Sequence, residues 1–262
     1  MAEEVTNEPS LWLSGLPVPS HDGHKYDRGH AVVVGAPDLT GATRLAATAC
    51  SRIGAGLVTV VAEKRADVYR TSLPADIMVT SELERELRSV ATVLIGPGGL
   101  PDRWETMIGS IVETATVVLD AAAIGERERI REGFESCVIT PHEGEFSAAF
   151  PQLHGTRIDR ALAAAVASRS IVILKGAETV IASPEGDVVV NTTASPYLAK
   201  AGSGDVLAGM ITGLAAQGMS PFDASCAGVW MHGEIARRYG PGLVPGDLTD
   251  RIPGMLTELL IR

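Results

Sequence analysis

Between His30 and Leu174 the chain repeatedly makes a short, unbroken apolar run and stops it at once with Gly, Pro or a polar residue. His30–Val34 runs into the Gly-rich loop 35–41 (GAPDLTG), Val93–Ile95 into Gly96-Pro97-Gly98, and Val117–Leu119 into Asp120. Val138–Ile139 then runs into Thr140-Pro141-His142, and Ile171–Leu174 into Lys175-Gly176. A strand with one wet face alternates polar and apolar residues, whereas a strand covered on both faces reads as a continuous run. Between the first run and the next, Leu57–Ala62, lies Ala42–Ile53, with Leu45, Ala49 and Ile53 on one helical face. Gly54 and Gly56 are expected to end that helix as C-cap glycines. A strand–helix–strand crossover demands parallel strands. The pattern predicts an α/β chain with a mostly parallel central sheet and helices on both faces. In such sheets ligands sit at the carboxyl ends of the strands, which is where the distinctive residues fall.

Val180–Ala182 and Val188–Val190 flank Ser183-Pro184-Glu185-Gly186-Asp187 and predict a hairpin. After Ala201 the pattern is helical, at about 204–217, 221–239 and 247–260. Residues 1–25 are polar and Pro-dotted, expected to form a loosely attached arm with room for a short helix. Residues 26–262 are expected to form a single domain. At 262 residues one core can bury about 70–75% of the unfolded surface, so no disulfide or metal staple is required. Cys50, Cys137 and Cys226 lie in apolar runs without metal or CxxC spacing and read as buried free thiols. A formal charge of −10 without a basic cluster argues against nucleic acid. A small phosphorylated ligand can still bind where backbone amides supply positive potential. With no signal sequence and no apolar run of about 18 residues, the expectation is a cytoplasmic protein that does not enter membranes.

The strongest local signal is Ala201-Gly202-Ser203-Gly204-Asp205-Val206-Leu207-Ala208-Gly209, three small residues opening a helix that Gly218 caps. The first amides and the dipole of such a helix form an anion site. An aspartate there suits a base that takes a proton from a hydroxyl attacking a bound phosphate. Ser203 and Asp205 would serve equally as ordinary capping residues. Thr140-Pro141-His142-Glu143-Gly144-Glu145-Phe146 gathers a histidine and two carboxylates past a buried strand, as a site or as a helix start. Lys175-Gly176-Ala177-Glu178-Thr179 offers a strand-end lysine to a phosphate or to a salt bridge. His232, flanked by Met231 and Trp230 in a helix, reads as packing. There is no GxxxxGK[ST], because Ala42 follows Gly41, and no GxGxxG after the first strand. P-loop ATPases and Rossmann dehydrogenases are therefore disfavoured.

Together these motifs resemble the ADP/ATP-dependent NAD(P)H-hydrate dehydratases, a ribokinase-like family. The resemblance runs over about residues 24–260. It is carried by HKYDRGH (24–30), LTGATRLA (39–46), GAGLVTV (54–60), IGPG (95–98), TPHEGEF (140–146), LKG with TVIA, AGSGDVLAGMITGLAAQG (201–218) and the closing HGEIA and DL. It implies a three-layer ribokinase-like sandwich and ADP- or ATP-dependent dehydration of the S-epimer of hydrated NADH or NADPH. In the implied mechanism Asp205 deprotonates the C6 hydroxyl of the hydrated ring. That oxygen attacks the terminal phosphoryl group of ADP or ATP, and the amides of Gly202, Ser203 and Gly204 hold the transferring phosphate. Lys175, Gly176, Ala177, Glu178, Thr179 and Gly204 would contact the adenine nucleotide. Ala42, Gly98, His142 and Asp205 would contact the hydrated dinucleotide. Mg²⁺ would bridge the nucleotide phosphates, with no protein metal ligand assigned. The resemblance also implies a homo-oligomer such as a tetramer. Many members carry an N-terminal epimerase domain, for which this length leaves no room, so the epimerase is expected as a separate protein. The family usually reads LDADAL where this chain reads Leu119-Asp120-Ala121-Ala122-Ala123-Ile124, so Ala122 replaces its second acid. Two alternatives stay open: a ribokinase-like kinase of a vitamin-precursor alcohol, and a silent nucleotide-binding protein.

Overall fold

The computed structural model describes residues 4–81, 90–108 and 115–261. Its strands are β1 (Val5–Thr6), β2 (His30–Val34), β3 (Leu57–Val61), β4 (Met78–Thr80), β5 (Val90–Ile95), β6 (Thr116–Leu119), β7 (Ser136–Ile139), β8 (Ile171–Leu174), β9 (Thr179–Ala182) and β10 (Val188–Asn191). The helices are α1 (Pro9–Trp12), α2 (Thr40–Arg52), α3 (Ala66–Ser72), α4 (Trp104–Ile108), α5 (Arg127–Arg131), α6 (Glu143–Ala149), α7 (Arg157–Ser168), α8 (Ser203–Ala216), α9 (Pro221–Tyr239) and α10 (Pro245–Leu260). The strands form one sheet in the order β1-β10-β9-β8-β7-β6-β5-β2-β3-β4. Neighbours are parallel except at β9, which runs antiparallel to both β8 and β10.

The continuous apolar runs are explained by two cores, one on each face. Val33, Leu94, Val118, Val138 and Ile173 pack with Ala46, Cys50, Met210 and Met231 from α2, α8 and α9. Their neighbours Val32, Val93, Val117, Leu119 and Val172 point the other way, into Trp104, Ile130, Phe146 and Ala161. Adjacent strand residues face opposite sides, so both sets must be apolar. This is the expected three-layer sandwich, and the hairpin over 183–187 is also found.

Glycine lets α2 and α8 approach closely. A Cβ on Gly209 would come within 2.1 Å of the Ala46 carbonyl oxygen, and one on Gly213 within 2.3 Å of Ile53. Gly54 caps α2 with φ +116°, as expected. Gly56 does not, for its φ is not in the left-handed region; a Cβ there would lie 2.0 Å from the Lys25 carbonyl oxygen. It is glycine to admit the short turn Lys25–Arg28.

The N-terminal arm departs from expectation because it is anchored. β1 pairs with β10, and Trp12 is buried, donating through Nε1 to Asn7. Asn7 in turn donates to Asn191 and to the Cys226 carbonyl, at 3.0 and 2.8 Å. Sequence composition did not reveal that this polar segment carries a buried asparagine and tryptophan matched to α9. Residues 1–3 of the arm lie outside the described residues. All three cysteines are buried and unpaired.

Candidate active site

The carboxyl ends of the parallel strands meet the N-terminus of α8. Gly202 turns the chain with φ +98°, a conformation that favours glycine. Ser203 is then spent on the loop: its amide donates to the Lys200 carbonyl at 3.2 Å and its hydroxyl to the Leu198 carbonyl at 2.7 Å. Gly204 and Asp205 supply the next amides of the turn, the orphan donors of a helix start. Gly204 needs to be small rather than conformationally free, because a Cβ there would stand 3.3 Å from Lys175 Nζ.

That ammonium lies over the head of α8 because Asp120 holds it. Asp120 ends β6 and is 3% exposed. Its Oδ1 accepts from Lys175 Nζ at 3.0 Å and from the Thr140 hydroxyl at 2.6 Å. The loop behind Lys175 is fixed as well, since Arg157 donates to the carbonyls of Leu174 and Lys175. Asp205 therefore faces a second carboxylate across the site. Burial first, and then Asp120, push its carboxyl up to about 6, against the pull of Lys175; Glu145 adds a smaller push upward.

A cavity opens beside the first turn of α8, where Asp205 follows Gly204. It has a volume of about 690 Å³ and is lined by Lys175, Gly176, Ala177, Thr179, Ser203 and Gly204 among others. The strand order reverses at β2, which lies between β3 and β5, the topological switch point where open α/β sheets bind ligands. There Thr43 ties the two loops, accepting from the Ala36 amide and donating to the Pro97 carbonyl, both at 3.0 Å. A Cβ on Gly98 would meet the Leu39 carbonyl oxygen at 2.3 Å and the Ala42 methyl at 3.1 Å, so Ala42 and Gly98 lie together at this switch point.

The structure brings some of the sequence-predicted residues together and leaves others apart. Glu178 is exposed and outside the cavity wall. Gly202 packs against Leu45 and Pro245. His142 lines the cavity, whose wall includes neither Ala42 nor Gly98. It also caps α6, Nδ1 accepting from the amides of Gly144 and Glu145 while Glu145 accepts from the His142 amide. Ala122 is exposed in the turn Ala121–Glu126 and lines no part of the cavity. Sequence reasoning did not assign Asn191, Lys200 or His232 to the site, yet all three line the cavity. No local spacing marks them, for they arrive from β10, a loop and α9.

A family model described as NAD(P)H-hydrate dehydratase matches residues 30–254. The chain belongs to the NAD(P)H-hydrate dehydratase family. It is 32% identical to the ADP-dependent (S)-NAD(P)H-hydrate dehydratase of Xanthomonas campestris pv. campestris, over 94% of each chain. It is 36% identical to the bifunctional NAD(P)H-hydrate repair enzyme of Moorella thermoacetica, over 94% of this chain and 52% of that protein. The chain therefore spans about half the length of such bifunctional relatives. A crystal structure of the ADP/ATP-dependent NAD(P)H-hydrate dehydratase from Bacillus subtilis, co-crystallised with ATP and Mg²⁺, superposes with a TM-score of 0.83. That match has 26% identity and covers 97% of this chain and 98% of the other. As a dehydratase-family chain, this protein has its family-bearing motifs at the strand ends and at the head of α8. Among the described residues no helix is long and apolar enough to cross a membrane.

Proposed function

We propose that this chain dehydrates the S-epimer of hydrated NADH or NADPH, with ADP or ATP as co-substrate. The observation that carries the reading is Asp205, a carboxyl raised to about 6 at the head of an anion-binding helix and flanked by Lys175. A base with a pKa near the working pH is both ionised and strong enough to take a hydroxyl proton.

The nucleotide lies in the cavity against Lys175, Gly176, Ala177 and Thr179, its terminal phosphate over the amides of Gly204 and Asp205 beside the Lys175 ammonium. The hydrated nicotinamide approaches from the switch point at Ala42 and Gly98, with its C6 hydroxyl at Asp205. Asp205 takes the hydroxyl proton as the oxygen bonds to the terminal phosphorus, and the bond from that phosphorus to the nucleotide breaks. The ring nitrogen then expels inorganic phosphate from C6, and loss of a C5 proton restores the dihydronicotinamide. Lys175 and the α8 amides stabilise the charge on the transferring group. Mg²⁺ fits as a passenger of the phosphates. Among the described residues no three His, Cys, Asp or Glu gather into a metal cage, and Mg²⁺ commonly keeps several waters and uses substrate phosphates. When bound it supplies neutralisation of phosphate charge.

The test is to incubate the chain with hydrated NADH and each nucleotide, following dihydronicotinamide absorbance and phosphate release together. Equal amounts of restored NADH and phosphate are expected. A stable phosphorylated alcohol would mean a kinase, and binding without turnover a silent protein; either overturns the reading.

A further inference from the structure

His232 is used by none of these steps, yet its ring is in the wall of the cavity and only 6% exposed. Its Nε2 lies 2.9 Å from the carbonyl oxygen of Ser203. A carbonyl oxygen only accepts, so Nε2 carries the hydrogen and Nδ1 of the neutral ring is a bare lone pair. The ring is neutral at working pH, because burial lowers the imidazole to about 4 and Lys175 pushes the same way, against the bond to Ser203. Among the described residues Nδ1 meets no donor. Nδ1 is not sealed in the core but open to the cavity, so an occupant there can supply its donor. Nucleotide phosphates are acceptors only. The donors an adenine nucleotide carries are its ribose hydroxyls and its exocyclic amino group.

We infer that His232 is a specificity-determining residue of the nucleotide cavity: with Nε2–H committed to the Ser203 carbonyl, its Nδ1 accepts a hydrogen bond from a hydroxyl or amino donor on the nucleoside half. The inference rests on the reading of the cavity as an adenine-nucleotide site. It also ties nucleoside recognition to the first turn of α8, because the ring that reads the nucleoside holds the carbonyl next to Gly204 and Asp205.

The two ring nitrogens can be tested apart. A glutamine amide nitrogen reaches about where Nε2 stands and keeps the tether to Ser203. An asparagine amide oxygen falls near Nδ1 and keeps the acceptor. Calorimetric titration of wild type, His232→Gln and His232→Asn with ADP, 2′-deoxy-ADP, 3′-deoxy-ADP and IDP separates the roles. Wild type is expected to lose about tenfold in affinity for the one analogue that lacks the donor, the worth of one hydrogen bond. His232→Gln should melt like wild type, bind ADP about tenfold more weakly and no longer distinguish that analogue, whereas His232→Asn should still distinguish it. A deoxy analogue singled out identifies a ribose hydroxyl, and IDP singled out identifies the amino group. His232→Gln binding ADP as tightly as wild type overturns the inference, as do analogues that lose equally in both proteins. A wild-type chain that binds neither ADP nor ATP overturns the reading of the cavity as well, and is seen in the first titration.

Discussion

A carboxyl in the first turn of a helix is ordinarily made more acidic by the helix dipole. Asp205 goes the other way, up to about 6, because burial and the Asp120 carboxylate outweigh Lys175. A base must be ionised to act, so kcat/KM should climb through about pH 6 from the acid side and level off above it. A pH–rate profile checks this; a rate still flat well below pH 6 would contradict it. The same shift has a stability cost with a definite sign. Folded Asp205 holds its proton more tightly than the unfolded chain, whose value is 3.8. Stability is therefore lost as pH rises through the window from about 4 to 6. Asp205→Asn should melt above wild type at neutral pH, with the gain fading in acid, as melting curves at several pH values would show. At this scale the sequence disclosed the residues that share one motif, Gly204 and Asp205, and the strand-end Lys175. Asp120 was visible only as an acid ending a run; its bond to Lys175 joins residues 55 positions apart. His232 opens the HGEIA motif but gave no signal of a place in the site, since a histidine among apolar helix residues looks the same whether it packs or lines a cavity.

Among the elements, α8 does two jobs that its glycines divide. Gly209 and Gly213 lie against α2 and set how deeply the helix sinks, whereas Gly204 keeps space open at its head. Gly209→Val would drive a side chain into the Ala46 carbonyl and should destabilise the fold by about 1–3 kcal/mol or more, measured by chemical denaturation. Gly204→Val should leave the fold standing and weaken nucleotide binding, because its side chain meets Lys175 Nζ in the phosphate space. Unchanged ADP and ATP affinity by calorimetry would remove the anion-site assignment. Element existence was legible because two-sided burial forces continuous runs and α2 has a clear helical face. What glycine is for was less legible. Gly54 and Gly56 look alike in sequence, yet one supplies a positive φ and the other a close approach. The anchoring of the arm is hidden for a similar reason: polar Asn7 satisfies buried partners rather than solvent.

For the whole molecule, the proposed meeting of two ligands at one carboxylate draws on the sheet order. The order reverses at β2, the hairpin β9–β10 helps wall the cavity, and the first turn of α8 lines it through Ser203 and Gly204. That the strand-end motifs gather at one end of the sheet could be anticipated, but which of them share the cavity wall could not. His142 shows this, expected beside Ala42 and Gly98 and found in the cavity wall. The proposed mechanism turns on Asp205 as the base beside the nucleotide cavity. Its most direct test is Asp205→Asn, with ADP affinity measured by calorimetry and NADH restoration measured under saturating nucleotide. Nearly unchanged affinity with turnover reduced by about 10²–10⁴-fold is predicted; turnover within about threefold of wild type would contradict the claim.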